Sequence, residues 1–147
     1  MKKMYVASIT PFDQKNQLNE QALKQLWDRN LAEGADGFFI GGSSGECFLL
    51  SEAERIRSFE LASEYVKKAE IFAHVGAIRT AEAAAYAKKA RELGISQVAA
   101  VPPFYFGFSE KEIAGYYYDI AEAADAPVLF YNIPMSTHRE LDLSHPD

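Results

Sequence analysis

The stretch GFFIGGSSGE at residues 37–46 decides how this chain is built. Gly37 to Gly41 is an apolar run of the length of a buried strand, and the turn after it is rich in glycine and serine. Four further runs share that character: Met4 to Thr10, Ile71 to Gly76, Gln97 to Val101 and Val128 to Asn132. None carries a polar face, as expected of strands covered on both sides in a parallel sheet. Counted from Tyr5, Gly37, Ile71, Gln97 and Val128, the strand starts recur every 26 to 34 residues. Amphipathic segments fill the gaps. Asn19 to Glu33 gathers Leu23, Leu26, Trp27 and Leu31 on one helical stripe. Ser51 opens a second helix as its N-cap, with Glu54 placed to complete a capping box. Thr80 is expected to cap the third, which stops at Gly94, where a left-handed C-cap belongs. Ser109 caps the fourth.

Strands alternating with helices of this length imply a parallel sheet with right-handed crossovers, either open and doubly wound or part of a closed barrel. The turns separate the two. A dinucleotide-binding sheet wants its glycine-rich turn after the first strand and an acid at the end of the second. Here the first strand runs into Thr10-Pro11-Phe12, and the glycines follow the second. Polar and aromatic residues stand after every strand: Thr10, Ser43 and Ser44, Arg79 and Thr80, Tyr105, Tyr131 and Asn132. A (β/α)8 TIM barrel builds its site at the C-terminal face in just this way. The fold expected is therefore α/β, with residues 1–147 forming one domain. That domain is the N-terminal half of such a barrel: four βα units, a fifth strand and a polar tail from Met135 to Asp147.

Composition removes several function classes. A net charge of -6, with Lys and Arg scattered singly or in pairs, offers no stripe to neutralise a nucleic-acid backbone. No apolar run approaches the roughly 20 residues of a membrane span. The start, MKKMYV, reaches Asp13 before any secretory apolar region forms, so a cytoplasmic location is expected. Cys47 is alone, and His74, His138 and His145 share no ligand spacing, so neither a metal nor another cofactor is expected.

Three segments carry chemistry. In Gly41-Gly42-Ser43-Ser44-Gly45-Glu46, backbone N–H groups and two hydroxyls can converge on an anion, and a carboxylate suits them better than a polyphosphate because the Gly-Lys-Ser/Thr ending of a P-loop is missing. A plain flexible turn is the competing reading. Tyr131, in Tyr131-Asn132-Ile133-Pro134, places a phenol at the mouth of the sheet, either relaying protons between substrate and Ser44 or merely packing there. The loop PPFYFGF at 102–108 either lines the site, meets a partner subunit or forms an apolar lid. Of Tyr116, Tyr117 and Tyr118, consecutive on a helix, at most two can share a buried face. His74, inside an apolar strand, reads as a satisfied core histidine, Cys47 as a small buried hydrophobe, and Glu46 as a brace for the serine turn.

Together, Thr10-Pro11-Phe12, GGSSGE at 41–46, AHVG at 73–76, PPFYFGFSEKE at 102–112 and YNIP at 131–134 resemble the dihydrodipicolinate synthase/N-acetylneuraminate lyase family, in order and at barrel spacing. AHVG and FSEKE look more like the lyase branch. The resemblance implies a class I aldolase in which a lysine forms a Schiff base with pyruvate or another 2-oxo acid. It implies that Ser43 and Ser44, with Gly42 in the same turn, bind the substrate carboxylate. Catalytic roles fall to Tyr131 in proton transfer, to Ser44, and to Tyr105 as the loop tyrosine that reaches a neighbouring subunit's site. It also implies a homo-oligomer.

Two departures stand out. Where the synthase branch has an arginine two residues past the proline and then Thr-Gly, this chain has Ser136, Thr137 and His138. That speaks against dihydrodipicolinate synthase activity and puts a side chain where a positive φ is wanted. The family's lysine stands roughly thirty residues beyond the YNIP tyrosine, on a sixth strand that these residues do not reach. Lys2, Lys3, Lys15, Lys24, Lys67, Lys68, Lys88, Lys89 and Lys111 fall at the N-terminus, in a loop or on a helix. The expectation is a lyase fragment that is inactive alone. The alternative is a half-barrel assembly module that pairs with another copy or a separate second half to bury its strand edges. A dinucleotide-binding fragment is disfavoured by the misplaced glycines.

Overall fold

The computed structural model of the chain describes residues 2–138, 140 and 141; the reading placed on His145 lies outside them. Five parallel strands pair in sequence order, β1 (Tyr5–Ala7), β2 (Gly37–Ile40), β3 (Glu70–His74), β4 (Gln97–Ala100) and β5 (Val128–Phe130). Between them run α1 (Glu20–Ala32), α2 (Glu52–Ser63), α3 (Thr80–Glu92) and α4 (Glu110–Ala124). Strand order decides the architecture. Right-handed crossovers that always step in one direction put every helix on the same face of the sheet, whereas a doubly wound sheet must reverse its order. The chain is thus a partial barrel, helices outside.

Register shows which side chains face which layer. Phe38, Ile71, Val98 and Val128 alternate with Phe39, Phe72, Ala99 and Leu129 along their strands. The first set meets the helices: Phe38 is fully buried against Trp27 and Tyr65, at centroid distances of 5.7 and 6.5 Å. The helices answer with matched stripes, Leu23 and Trp27 from α1, Phe59 and Ala62 from α2, Ala83, Tyr86, Ala87 and Ala90 from α3, and Ile113, Tyr116, Tyr117 and Ile120 from α4. Of the three consecutive tyrosines, Tyr116 and Tyr117 are buried and Tyr118 is exposed. The two buried hydroxyls hold the sheet's ends, Tyr116 accepting from Ala77 N at 3.1 Å and Tyr117 donating to Ala100 O at 3.0 Å. The second set of side chains faces the inside of the barrel. There Tyr5, Ile9 and Leu129 are left 38%, 52% and 51% exposed, so this inner face is open and exposes apolar side chains beside Gln97.

Of the three caps expected from the sequence, Ser51 and Ser109 hold, and α1 has one that was not expected, at Asn19. Asn19 accepts from Ala22 N, and Ser51 and Ser109 each form a full capping box, with Glu54 and Glu112. In α3 the expectation needs correction. Arg79 is the N-cap, because its carbonyl accepts from Glu82 N and Ala83 N, and no side chain caps that end; Thr80 is the first residue inside. Gly94 does take the left-handed turn, at φ +78°. The stretch after β5 is more ordered than a polar tail: Pro134–Thr137 forms one helical turn, α5, closed by His138 in the left-handed region at φ 53°. At the opposite end of the sheet, Glu70 accepts from Lys3 and Tyr5. Among the described residues, no helix is long and apolar enough to cross a membrane.

Candidate active site

The mouth of the sheet is built around the turn that follows β2. Gly41 leaves the strand at φ +68°, a conformation that side chains resist. Gly42 then passes so close to Phe39 that a Cβ there would lie 2.7 Å from two of its ring carbons. Ser43–Gly45 form a single 3-10 turn, with Gly45 N donating to Gly42 O and Glu46 N to Ser43 O, each at 3.0 Å. Glu46, expected to brace the turn, does so through its backbone, which sits left-handed at φ 55°. Just past β1, Thr10 donates its hydroxyl to Gly45 O at 2.8 Å, tying the Thr-Pro-Phe motif to the turn. Ser43 and Ser44 are left exposed at the mouth.

Tyr131 enters from the other side. Its amide continues the β4–β5 ladder, donating to Ala100 O at 2.9 Å, and its hydroxyl lies 3.3 Å from Ser43 Oγ. The serine hydroxyl that the phenol meets among the described contacts is that of Ser43, the first residue of the 3-10 turn. Phe39 and His74 hold the phenol's ring edge-on, at 5.3 and 5.7 Å. Tyr105 stands apart, 85% exposed and left-handed at φ 76°, with its ring against Phe106. Among the described residues, no contact brings it to Ser43 or Tyr131.

His74 is a satisfied core histidine. It is fully buried, its Nδ1 is 2.8 Å from Gly41 O, and its Nε2 accepts from Val101 N at 3.3 Å. That pair of bonds fixes the neutral tautomer with the proton on Nδ1. Burial, reinforced by the nearby Arg55 charge, pushes its pKa down to about 3. Cys47 is buried too, and desolvation pushes its thiol up, away from nucleophile chemistry.

Sequence reading missed Arg55. It is 3% exposed on α2, donating from Nη1 to Gly76 O at 3.0 Å and from Nη2 to His74 O at 2.8 Å, with the Tyr86 ring 4.3 Å from its guanidinium carbon. The signal was present in the spacing. Arg55, Phe59 and Ala62 share one helical face, and an arginine on an apolar face of that kind must find partners inside.

Between the serine turn and α5 opens a cavity of about 270 Å³, lined by Ser43, Cys47, Phe48 and Phe104 on one side and by Ile133, Ser136 and Thr137 on the other. It is small for a ligand pocket and suits a molecule of a few heavy atoms. Ser136, standing where the resemblance places an arginine, offers it a neutral hydroxyl. Among the described residues no cluster of three or more His, Cys, Asp or Glu could hold a metal.

Comparison with known proteins places this geometry. Residues 1–145 match the model of the dihydrodipicolinate synthetase family. Over 139 residues the chain is 41% identical to the N-acetylneuraminate lyase of Salmonella newport, covering 93% of this chain and 47% of that relative. CdNal from Clostridium difficile, solved in complex with mannosamine, superposes with a TM-score of 0.92 at 37% identity, covering 98% of this chain and 50% of its own. YagE of E. coli K12, a member of the dihydrodipicolinic acid synthase family solved in complex with pyruvate, superposes at 0.90 and 25% identity, over 96% and 48%. The chain spans about half the length of the relatives it matches.

Proposed function

The chain belongs to the dihydrodipicolinate synthetase family, and on that premise we propose that it carries the binding half of a lyase site for pyruvate or a related 2-oxo acid. The single observation behind this reading is the 3.3 Å approach of Ser43 Oγ and Tyr131 OH, two residues 88 apart in sequence, at the mouth of the sheet. In this reading the serine turn, Gly42 through Ser44, grips the carboxylate of the 2-oxo acid; YagE, similar in fold, was solved in complex with pyruvate. Tyr131 moves a proton at the carbon–carbon bond being made or broken, passing it to and from the substrate while Ser43 shares its hydroxyl. His74 stays neutral beneath them and orients the phenol's ring. Tyr105 serves the site of a neighbouring subunit in a homo-oligomer. Ser136 in the cavity wall, and the 41% identity to an N-acetylneuraminate lyase, favour the lyase branch over the synthase branch.

The nucleophile is what these residues do not provide. Imine chemistry near neutral pH needs a desolvated lysine at the mouth. All nine lysines lie elsewhere, before β1 (Lys2, Lys3), in the loop after it (Lys15), on α1, α3 or α4 (Lys24, Lys88, Lys89, Lys111), or in the turn after α2 (Lys67, Lys68). The chain by itself therefore binds a 2-oxo acid without turning it over. Incubation with pyruvate and borohydride, followed by intact mass, should leave the mass unchanged; a stable adduct on any of these lysines would overturn that statement.

A second reading has its own observation. The inner face, with Tyr5, Ile9 and Leu129 exposed, and the edges of β1 and β5, unpaired among the described residues, suit assembly with another half-barrel, either a second copy or a separate chain. Light scattering that finds a well-folded monomer at working concentration would remove it.

A further inference from the structure

The buried charge of Arg55 is the feature that the proposed binding role leaves unused. Among the described residues no carboxylate forms an ion pair with it, and its Nε is buried with no acceptor. An unpaired buried cation is costly, so a fold that keeps one has a reason to place it. What Arg55 touches suggests the reason. Its two bonds hold the carbonyls of His74 and Gly76 on either side of Val75. His74 in turn holds Gly41 O, at the start of the serine turn, and Val101 N, where the aromatic loop begins, and its ring abuts Tyr131. Behind the cavity wall, the guanidinium carbon lies 6.0 Å from the centre of the Phe48 ring.

We propose that Arg55 is a positioning residue: acting through His74 it sets the serine turn and Tyr131 at their working separation, and its unpaired charge, behind the cavity wall, biases the cavity toward carboxylates over neutral ligands of the same shape. The carboxylate preference rests on the 2-oxo-acid reading above. The positioning does not.

The experiment uses the full chain, with pyruvate and the neutral ketone hydroxyacetone as probes in calorimetric titrations, and with Arg55→Met and Arg55→Lys as variants. Arg55→Met should weaken pyruvate binding about tenfold, the scale of one charge acting through protein at an effective dielectric of about 20, and leave hydroxyacetone within about threefold. Arg55→Lys should restore most of the pyruvate affinity. Equal losses for both ligands with no rescue by lysine would reduce Arg55 to a packing residue, and unchanged pyruvate affinity in Arg55→Met would overturn the electrostatic role. Should Arg55→Met fail to fold, Arg55→Gln keeps a donor without the charge, and the same contrast is expected.

A second readout needs no ligand. In amide and aromatic NMR spectra, Arg55→Met should move the signals of Gly41 to Glu46, the His74 ring and the Tyr131 ring, while those around the remote Ser109 cap stay in place; Arg55→Lys should move them less. If pyruvate does not bind the unmodified chain but these shifts appear, the 2-oxo-acid reading fails and the positioning stands. If the serine turn does not respond, the positioning fails whatever the chain binds.

Discussion

His74 makes the fold sensitive to acid in a way that can be worked out in advance. Its pKa is near 3 in the folded chain against an ordinary value of 6.5, because burial and the Arg55 charge oppose protonation. Between those two pH values the unfolded chain binds a proton at this residue and the folded chain does not. The unfolded state thus holds more protons, and stability falls as pH falls. Above about pH 6.5 the residue contributes no slope. At about 1.4 kcal/mol per pH unit, the loss reaches roughly 3 kcal/mol by pH 4.5 and approaches 5 kcal/mol once both forms are protonated, a large share of the 5–15 kcal/mol typical of a domain.

Urea titrations read through Trp27, the sole and fully buried tryptophan, give the stability at each pH. The reference is His74→Gln, whose amide can donate to Gly41 O and accept from Val101 N without titrating. Carboxylates held low by their partners, Glu54 by Ser51 and Glu112 by Ser109, also lose stability in acid, but they do so in both proteins and cancel in the difference. The advantage of the histidine protein over the glutamine variant should shrink by about 3 kcal/mol between pH 6.5 and 4.5. Parallel profiles would refute the buried, neutral assignment and with it the support it gives to Tyr131.

Two further outcomes bear on particular elements. Ser109→Ala should cost about 1 kcal/mol in urea unfolding, while Thr80→Ala should stay within about 0.5 kcal/mol, since Ser109 caps α4 and Thr80 caps nothing; equal losses would contradict the α3 start described above. Gly42→Ala should force the serine turn off the Phe39 ring, costing about 1–3 kcal/mol of stability and most of the affinity for pyruvate, and unchanged calorimetric binding would show that the turn does not grip the ligand.

Much of this fold was legible from local pattern, because its signals are local. Apolar runs bounded by glycine and proline mark β2 to β5, and the boxes Ser51–Glu54 and Ser109–Glu112 are written in four-residue windows. Errors fell where a signal depends on neighbours in space. Thr80 looks like a cap by residue type, yet which carbonyl takes the first helical bond is set by how the chain leaves β3 through Gly76 and Ala77. The turn at Pro134–Thr137 is too short for any periodicity, and only the left-handed residue at 138, which the sequence did flag, betrays that something closes there. Arg55 escaped notice because a charge on a helix is assumed to face water.

The candidate site was legible in kind and not in pairing, and the parallel register explains the difference. Residue types at strand ends can be read one strand at a time, which is enough to nominate Ser43, Ser44 and Tyr131. Which of them meet depends on alignment between strands. Ala7, Phe39, Phe72 and Gln97 fall on one rung across β1 to β4, and His74, Ala99 and Leu129 on the next across β3 to β5. Tyr131, two residues beyond Leu129, then rises above the second rung beside His74 and within reach of Phe39, where the turn after β2 presents Ser43 first. A one-residue slip of β5 against β4 would turn Tyr131 to the helix side, and a slip of β3 would do the same to His74. The bonds from His74 to Gly41 and Val101, and from Arg55 to His74 and Gly76, are the contacts that such a slip would break. The same buried polar residues that escape a strand-by-strand reading therefore make the bonds that tie this register together at the site.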